Sequence, residues 1–126
     1  MKVFKNKWFA RFARNEAIED EVLCATVAYL ERGLIDADLG GGVIKQRLAR
    51  PQGGKSGGFR TILLFRCGDR AIFVYAFAKS RRANLRRDEV VAFKRLASEF
   101  LKYDAAALAK AVASGALIEV LCDEIG

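Results

Sequence analysis

Residues 59–78 read FRTILLFRCGDRAIFVYAFA, two runs of aromatic and branched side chains on either side of Gly68 and Asp69. Runs of this composition broken by a glycine turn predict a β-hairpin, with strands over 59–66 and 70–78. A two-residue loop at Gly68-Asp69 pairs Cys67 with Arg70 and Arg66 with Ala71; a four-residue loop also pairs Arg66 with Ala71. Parity decides which side chains share a face, so both loops give the same faces, and a three-residue loop does not. One face holds Arg60, Ile62, Leu64 and Arg66 beside Phe73, Tyr75, Phe77 and Lys79. The other holds Phe59, Thr61, Leu63 and Phe65 beside Ile72, Val74, Ala76 and Ala78, is uncharged, and is expected to pack on an N-terminal helix.

Working outward, residues 43–48 form a short strand that puts Val43, Lys45 and Arg47 on one face and Ile44, Gln46 and Leu48 on the other. Setting Lys45 and Arg47 beside Arg60 and Lys79 gathers a cationic patch on one side of the sheet. A charge flanked by apolar strand neighbours is expensive to keep without a use, which points to an anionic ligand. Tyr75 and Phe77 either offer stacking platforms for bases or lie in the core under C-terminal helices. Phe73 and Tyr75 are assigned to the core, and Phe77 to the binding face.

Residues 3–12 predict a first strand leading into a helix, with Asn15 as N-cap, Ile18, Val22, Ala25, Tyr29 and Leu30 on its apolar face, and Gly33 at its end. Residues 36–42, with three consecutive glycines, predict a turn, and residues 50–58 a glycine-rich loop. Helices are expected over 86–103 and 104–114, the first with Val90, Phe93, Ala97 and Phe100 or Leu101 on its apolar side. A last strand is expected over 116–121. The whole reads as one domain, 1–126, that combines short strands with helices.

The composition narrows the function. The chain has 126 residues, 52% of them hydrophobic, enough for one packed core. The formal charge of +7 favours an anionic partner. There is no histidine, and the three cysteines, Cys24, Cys67 and Cys122, lack metal-ligand spacing and make no disulfide framework by their pattern. No metal and no cofactor are expected. Acid–base chemistry then falls to lysine, tyrosine or carboxylates, with arginine as electrostatic support. Residues 1–14 carry charges every few positions with no apolar signal core, and no apolar run approaches the ~20 residues needed to cross a bilayer. A cytoplasmic location, with no membrane partner, is the expectation.

Two local patterns are decoys. Gly54-Lys55-Ser56 resembles the end of a phosphate-binding P-loop, but the glycine that motif needs five positions earlier is Ala49, and a strand follows rather than a helix. Asp36 and Asp38 lack the further ligands of a calcium loop.

The runs DADLGGGVIKQR at 36–47 and GKSGGFRT at 54–61, FAK at 77–79, the acidic pair Asp88-Glu89 and FARFA at 9–13 together resemble one branch of the RelE-like toxins of the RelE/ParE superfamily, over almost the whole chain. The resemblance implies an α+β fold, a twisted, mostly antiparallel sheet with an N-terminal helix packed on one face and C-terminal helices. It also implies the toxin of a type II toxin–antitoxin system, neutralised by a cognate antitoxin and acting on mRNA, usually in the ribosome. It implies a metal-free site of lysines and arginines, for which Lys45, Arg47, Lys55, Arg60 and Lys79 match; Arg81 and Arg82 lie just beyond. The chain departs from RelE in its last strand, where residues 116–121 offer apolar residues and Glu119 instead of an arginine and a tyrosine.

The expected reaction is attack of an RNA 2′-hydroxyl on the adjacent phosphate. Arg60 would grip that phosphate, Lys45 or Lys79 would act as base, and Arg47 would stabilise developing charge. Lys55, Arg81, Arg82 and Phe77 would hold RNA. Two other readings stay open: a ParE-like gyrase poison, and a non-catalytic module that binds nucleic acid or antitoxin.

Overall fold

The computed structural model describes residues 1–48 and 58–122. Along the chain run β1 (Lys2–Asn6), α1 (Lys7–Asn15), α2 (Asp20–Glu31), β2 (Ala37–Gly40), β3 (Val43–Arg47), β4 (Phe59–Arg66), β5 (Arg70–Ala78), α3 (Arg87–Phe100), α4 (Ala105–Ser114) and β6 (Leu117–Val120). The strands form one sheet in the order β2-β3-β4-β5-β1-β6, in which the β1–β5 pair is parallel and the others antiparallel. No helix among the described residues is long and apolar enough to cross a membrane.

Helices cover both faces of this sheet. Phe9 and Ala13 of α1 and Leu23, Val27 and Leu30 of α2 pack with Ile44, Leu63, Ala71, Phe73, Ala76 and Val120. On the opposite face Ala97 of α3 and Leu108 and Ala111 of α4 pack with Val43, Ile62, Leu64, Ile72, Val74 and Phe77. The α+β arrangement expected from the sequence is the one observed.

The hairpin register is right at one end for a reason the sequence reading did not contain. Arg66 pairs with Arg70, so the loop has three residues, and side chains near the tip are shifted by one from the expected pairing. A bulge between Ile62 and Leu63 on the β4 side takes up one extra β5 residue, Val74, and restores the expected pairs Arg60–Phe77 and Ile62–Tyr75. The correction falls on three β5 residues. Phe73 lies under the N-terminal helices, whereas Ile72 and Val74 lie under the C-terminal ones.

The N-terminus also differs from expectation. The first strand stops at Asn6, whose side chain accepts the Phe9 backbone N–H at 2.8 Å and caps α1. Residues expected to continue the strand are helical, because Phe9 and Ala13 recur at helical spacing and fill the core. Asn15 ends this helix rather than capping the next. The buried stripe of α2 is Leu23, Thr26, Val27 and Leu30, which leaves Ala25 and Tyr29 exposed. Residues 36–42 are not simply a turn, since β2 pairs with β3 there. Gly42 sits at φ 86°, where any side chain would be strained, and a Cβ there would also displace Leu101 Cδ1, 2.5 Å away.

Finally, Cys24 of α2 and Cys122, just past β6, form a disulfide across 98 residues of sequence. The cysteine pattern gave no sign of it. The pairing arises because Leu23 and Val27 of α2 share a core with Val120 at the end of β6. Cys67, at the hairpin tip, is free and exposed.

Candidate nucleic-acid interface

The ends of β3, β4 and β5 farthest from the hairpin tip bring the expected cations together in two rows. Arg47 pairs with Arg60, and Arg60 with Phe77. In the next row Lys45 pairs with Ile62, and Ile62 with Tyr75. These alternate residues share the sheet face on which α3 packs. Neighbouring strands lie about 4.8 Å apart, so each row is a close lateral array. The Arg47 backbone N–H donates to Asp36 Oδ2 at 2.7 Å, which fixes β3 at this end.

Lys79 and Arg81 follow β5 directly and are exposed. The Lys79 backbone N–H donates to Gly58 O at 3.3 Å, and the Arg81 N–H to Ala78 O at 2.9 Å, so both lie at the same end of the sheet as Arg60. Arg47, Arg60, Lys79 and Arg81 make no side-chain hydrogen bond or ion pair with another described residue. Lys55 lies outside the described residues.

Arg82 behaves differently. Its Nε and Nη2 donate to Asn84 O at 3.1 and 3.0 Å, Nη1 to Glu89 Oε2 at 3.2 Å and to the Tyr75 hydroxyl at 3.5 Å, and Nη2 to Glu89 Oε1 at 2.5 Å. A guanidinium has five N–H groups, and all five are occupied. Its carbon also sits 5.3 Å from the Phe77 ring centroid. Phe77 is 5% exposed and belongs to the core under the C-terminal helices. Arg82 covers its ring instead of leaving a face for a base. Together Arg82 and Phe77 fix the segment between β5 and α3. That segment in turn offers Asn84, whose Oδ1 accepts from Lys45 Nζ at 3.0 Å.

Glu89 holds this arrangement at its base. Its carboxylate takes Arg82 and also the Arg86 backbone N–H at 2.7 Å, closing the first turn of α3. The Arg82 hydrogen bond first, and the Arg86 N–H next, hold Glu89 well below the usual carboxylate range, at about 2. Sequence reasoning missed Asn84 and Glu89 as parts of the site. The trace was present in Glu89 alone: an acid in the first turn of a helix, seven residues after an arginine.

A family model described as the RelE toxin of the RelE/RelB toxin–antitoxin system matches residues 1–120. The chain belongs to the RelE family. The match takes in every strand and helix described above, including the cationic rows and the Arg82–Glu89 clamp. A search of curated proteins finds no match. RelE-family membership places the chain among the toxins of toxin–antitoxin systems.

Proposed function

We propose that this RelE-family chain is an mRNA interferase of a type II system, cutting RNA by attack of a 2′-hydroxyl on the neighbouring phosphate, on the ribosome and in the cytoplasm. One observation carries the reading. Arg47 and Arg60 stand directly opposite each other in the β3–β4 register, with no acidic partner among the described residues. Like charges placed so are unfavourable by themselves, and a phosphate between them turns that cost into binding.

In this reading Arg60 grips the scissile phosphate with its planar fork, and Arg47 stabilises the charge that develops on the non-bridging oxygens. Lys45, steadied by Asn84, or Lys79 takes the hydroxyl proton as the 2′-oxygen bonds to phosphorus. The P–O5′ bond breaks, leaving a 2′,3′-cyclic phosphate, and the departing 5′-oxygen takes a proton from water. Arg81 and Lys55 hold the RNA backbone. Arg82 supports the site through Phe77 and Asn84 and does not meet RNA. The cations are the protein's own, so cleavage of RNA by the purified chain survives removal of divalent ions. A cognate antitoxin silences the chain by covering this basic face with acidic or apolar segments.

The test is induced expression in bacteria followed by mapping of new 5′ ends on cellular mRNA. Fresh ends within reading frames soon after induction support the proposal. Intact mRNA with accumulated gyrase–DNA cleavage complexes would make the chain a gyrase poison. Intact mRNA and DNA would leave a binding module without catalysis.

A further inference from the structure

The pairing of β1 with β5 stops at Lys5–Phe73, so the last residues of β5 have no strand beside them on that side. Helix α1 occupies the gap. Trp8 meets Tyr75 with ring centroids 4.6 Å apart, and Phe12, one turn on, meets Phe59 at 5.0 Å. Aromatic contacts thus run from Tyr75, which shares a row with Lys45, to Phe59, which precedes Arg60.

Trp8 is 44% exposed despite these contacts. Its near-parallel stack on Phe12 has a centroid separation of 5.4 Å, an offset arrangement that leaves part of the indole uncovered. The same helix, KWFARFARN, has no acidic residue. Lys7, Arg11 and Arg14 are exposed on it, spaced i, i+4 and i+7 along one side. None of the three is in an ion pair with another described residue.

From this arrangement we propose that Trp8 and the cationic side of α1 form a second binding surface for single-stranded RNA, continuous with the sheet site through Tyr75. The proposal rests on the RNA reading of that site and extends it to the flanking nucleotides. An indole next to unpaired cations suits an unpaired strand, because any base has a π-face and the backbone carries a charge at each step. A duplex keeps its base faces stacked inside and offers the indole nothing. An acidic protein segment would satisfy the cations but gives no comparable reason for an open indole.

The chain has one tryptophan, so fluorescence excited beyond the absorption of its tyrosines reports on Trp8 alone. The purified chain is titrated with a single-stranded 2′-O-methyl oligoribonucleotide of about ten nucleotides, which binds as RNA does but lacks the attacking hydroxyl. The expected result is saturable quenching of the indole, absent with the same oligomer in duplex form. With a labelled oligomer, Trp8→Leu binds about tenfold or more weakly and Trp8→Tyr recovers most of the loss. Trp8→Tyr also keeps an aromatic ring against Tyr75 and Phe12, so it remains informative if Trp8→Leu melts. Arg60→Ala, read in the same assay, separates the two claims. If Arg60→Ala weakens binding while the Trp8 variants match wild type and the indole is unquenched, the α1 surface is wrong and the sheet site stands. If the oligomer does not bind at all, both fail. If Trp8→Leu loses the antitoxin but keeps RNA, α1 is a protein interface and the proposal is overturned.

Discussion

Arg47 sits directly across from Arg60 in the antiparallel pairing of β3 and β4, two cations side by side in adjacent strands, neither in an ion pair with another described residue. Like charges directly opposite each other are destabilising. Arg47→Ala should therefore melt no lower than wild type at low ionic strength, and slightly higher if the repulsion dominates. The difference should shrink as salt screens the pair. Thermal melts at low and high salt check this. A clear drop in melting temperature on removing Arg47 would mean that the arginine holds the sheet together.

Glu89 gives a pH signature. Its carboxyl is depressed from an ordinary 4.5 to about 2 by Arg82 and by the Arg86 N–H. A carboxyl whose pKa is lower in the folded chain contributes stability that is complete above its unfolded pKa. That stability is lost as pH falls through the folded value. Wild type should exceed Glu89→Gln in melting temperature near neutral pH, and the gap should close between about 4.5 and about 2. A gap that stays constant over this range would rule out the Arg82–Glu89 pair as its source.

The disulfide predicts a redox effect on stability. Joining Cys24 to Cys122 closes a loop spanning 98 residues; disulfides typically contribute about 2–4 kcal/mol, and the chain-entropy figure rises to about 4.7 kcal/mol for a loop of roughly 100 residues. The oxidised chain should present one reactive thiol, Cys67, and the reduced chain three. Reduction, or Cys122→Ser, should lower the melting temperature clearly. Three reactive thiols before reduction, or identical melts after it, would contradict the bond. In a reducing cytoplasm the two cysteines would stand as neighbouring thiols, and the bond would follow exposure to oxidant.

How far the sequence was legible can be judged residue by residue. Alternation in 59–66 and 70–78 located the central hairpin, and alternation in 43–48 put Lys45 and Arg47 on one face of their strand; that this face adjoins Arg60 comes from the register of β3 with β4. Alternation within a strand is a local property, so it survives ignorance of the rest of the fold. What failed was non-local or depended on a single extra residue. The three-residue loop and the bulge at Val74 each shift parity by one, and neither leaves a mark in composition. Their effects cancel at Arg60, but Phe73 lands on the other face. Helix α1 was hidden because Phe4, Trp8, Phe9 and Phe12 fit a loose strand as well as a helix until Asn6 is seen to cap it. Arg82 reads as a free cation in the sequence, which cannot count how many of its donors the fold already uses.

The most direct measurement of the central claim, that the cationic rows of the sheet do the chemistry, is growth arrest by Arg60→Ala beside a thermal melt of the same variant. The melt of Leu63→Ala serves as the opposite control. Leu63 is fully buried under the N-terminal helices, and its truncation should cost about 2–5 kcal/mol of stability. Arg60→Ala should lose arrest, in line with the 10²–10³-fold rate loss typical of removing one placed electrostatic donor. It should melt within about 0.5 kcal/mol of wild type and still bind its antitoxin. Arg60→Lys should restore little, since a point charge does not reproduce the two-oxygen grip of a guanidinium. Full toxicity of Arg60→Ala, or its unfolding, would contradict the site.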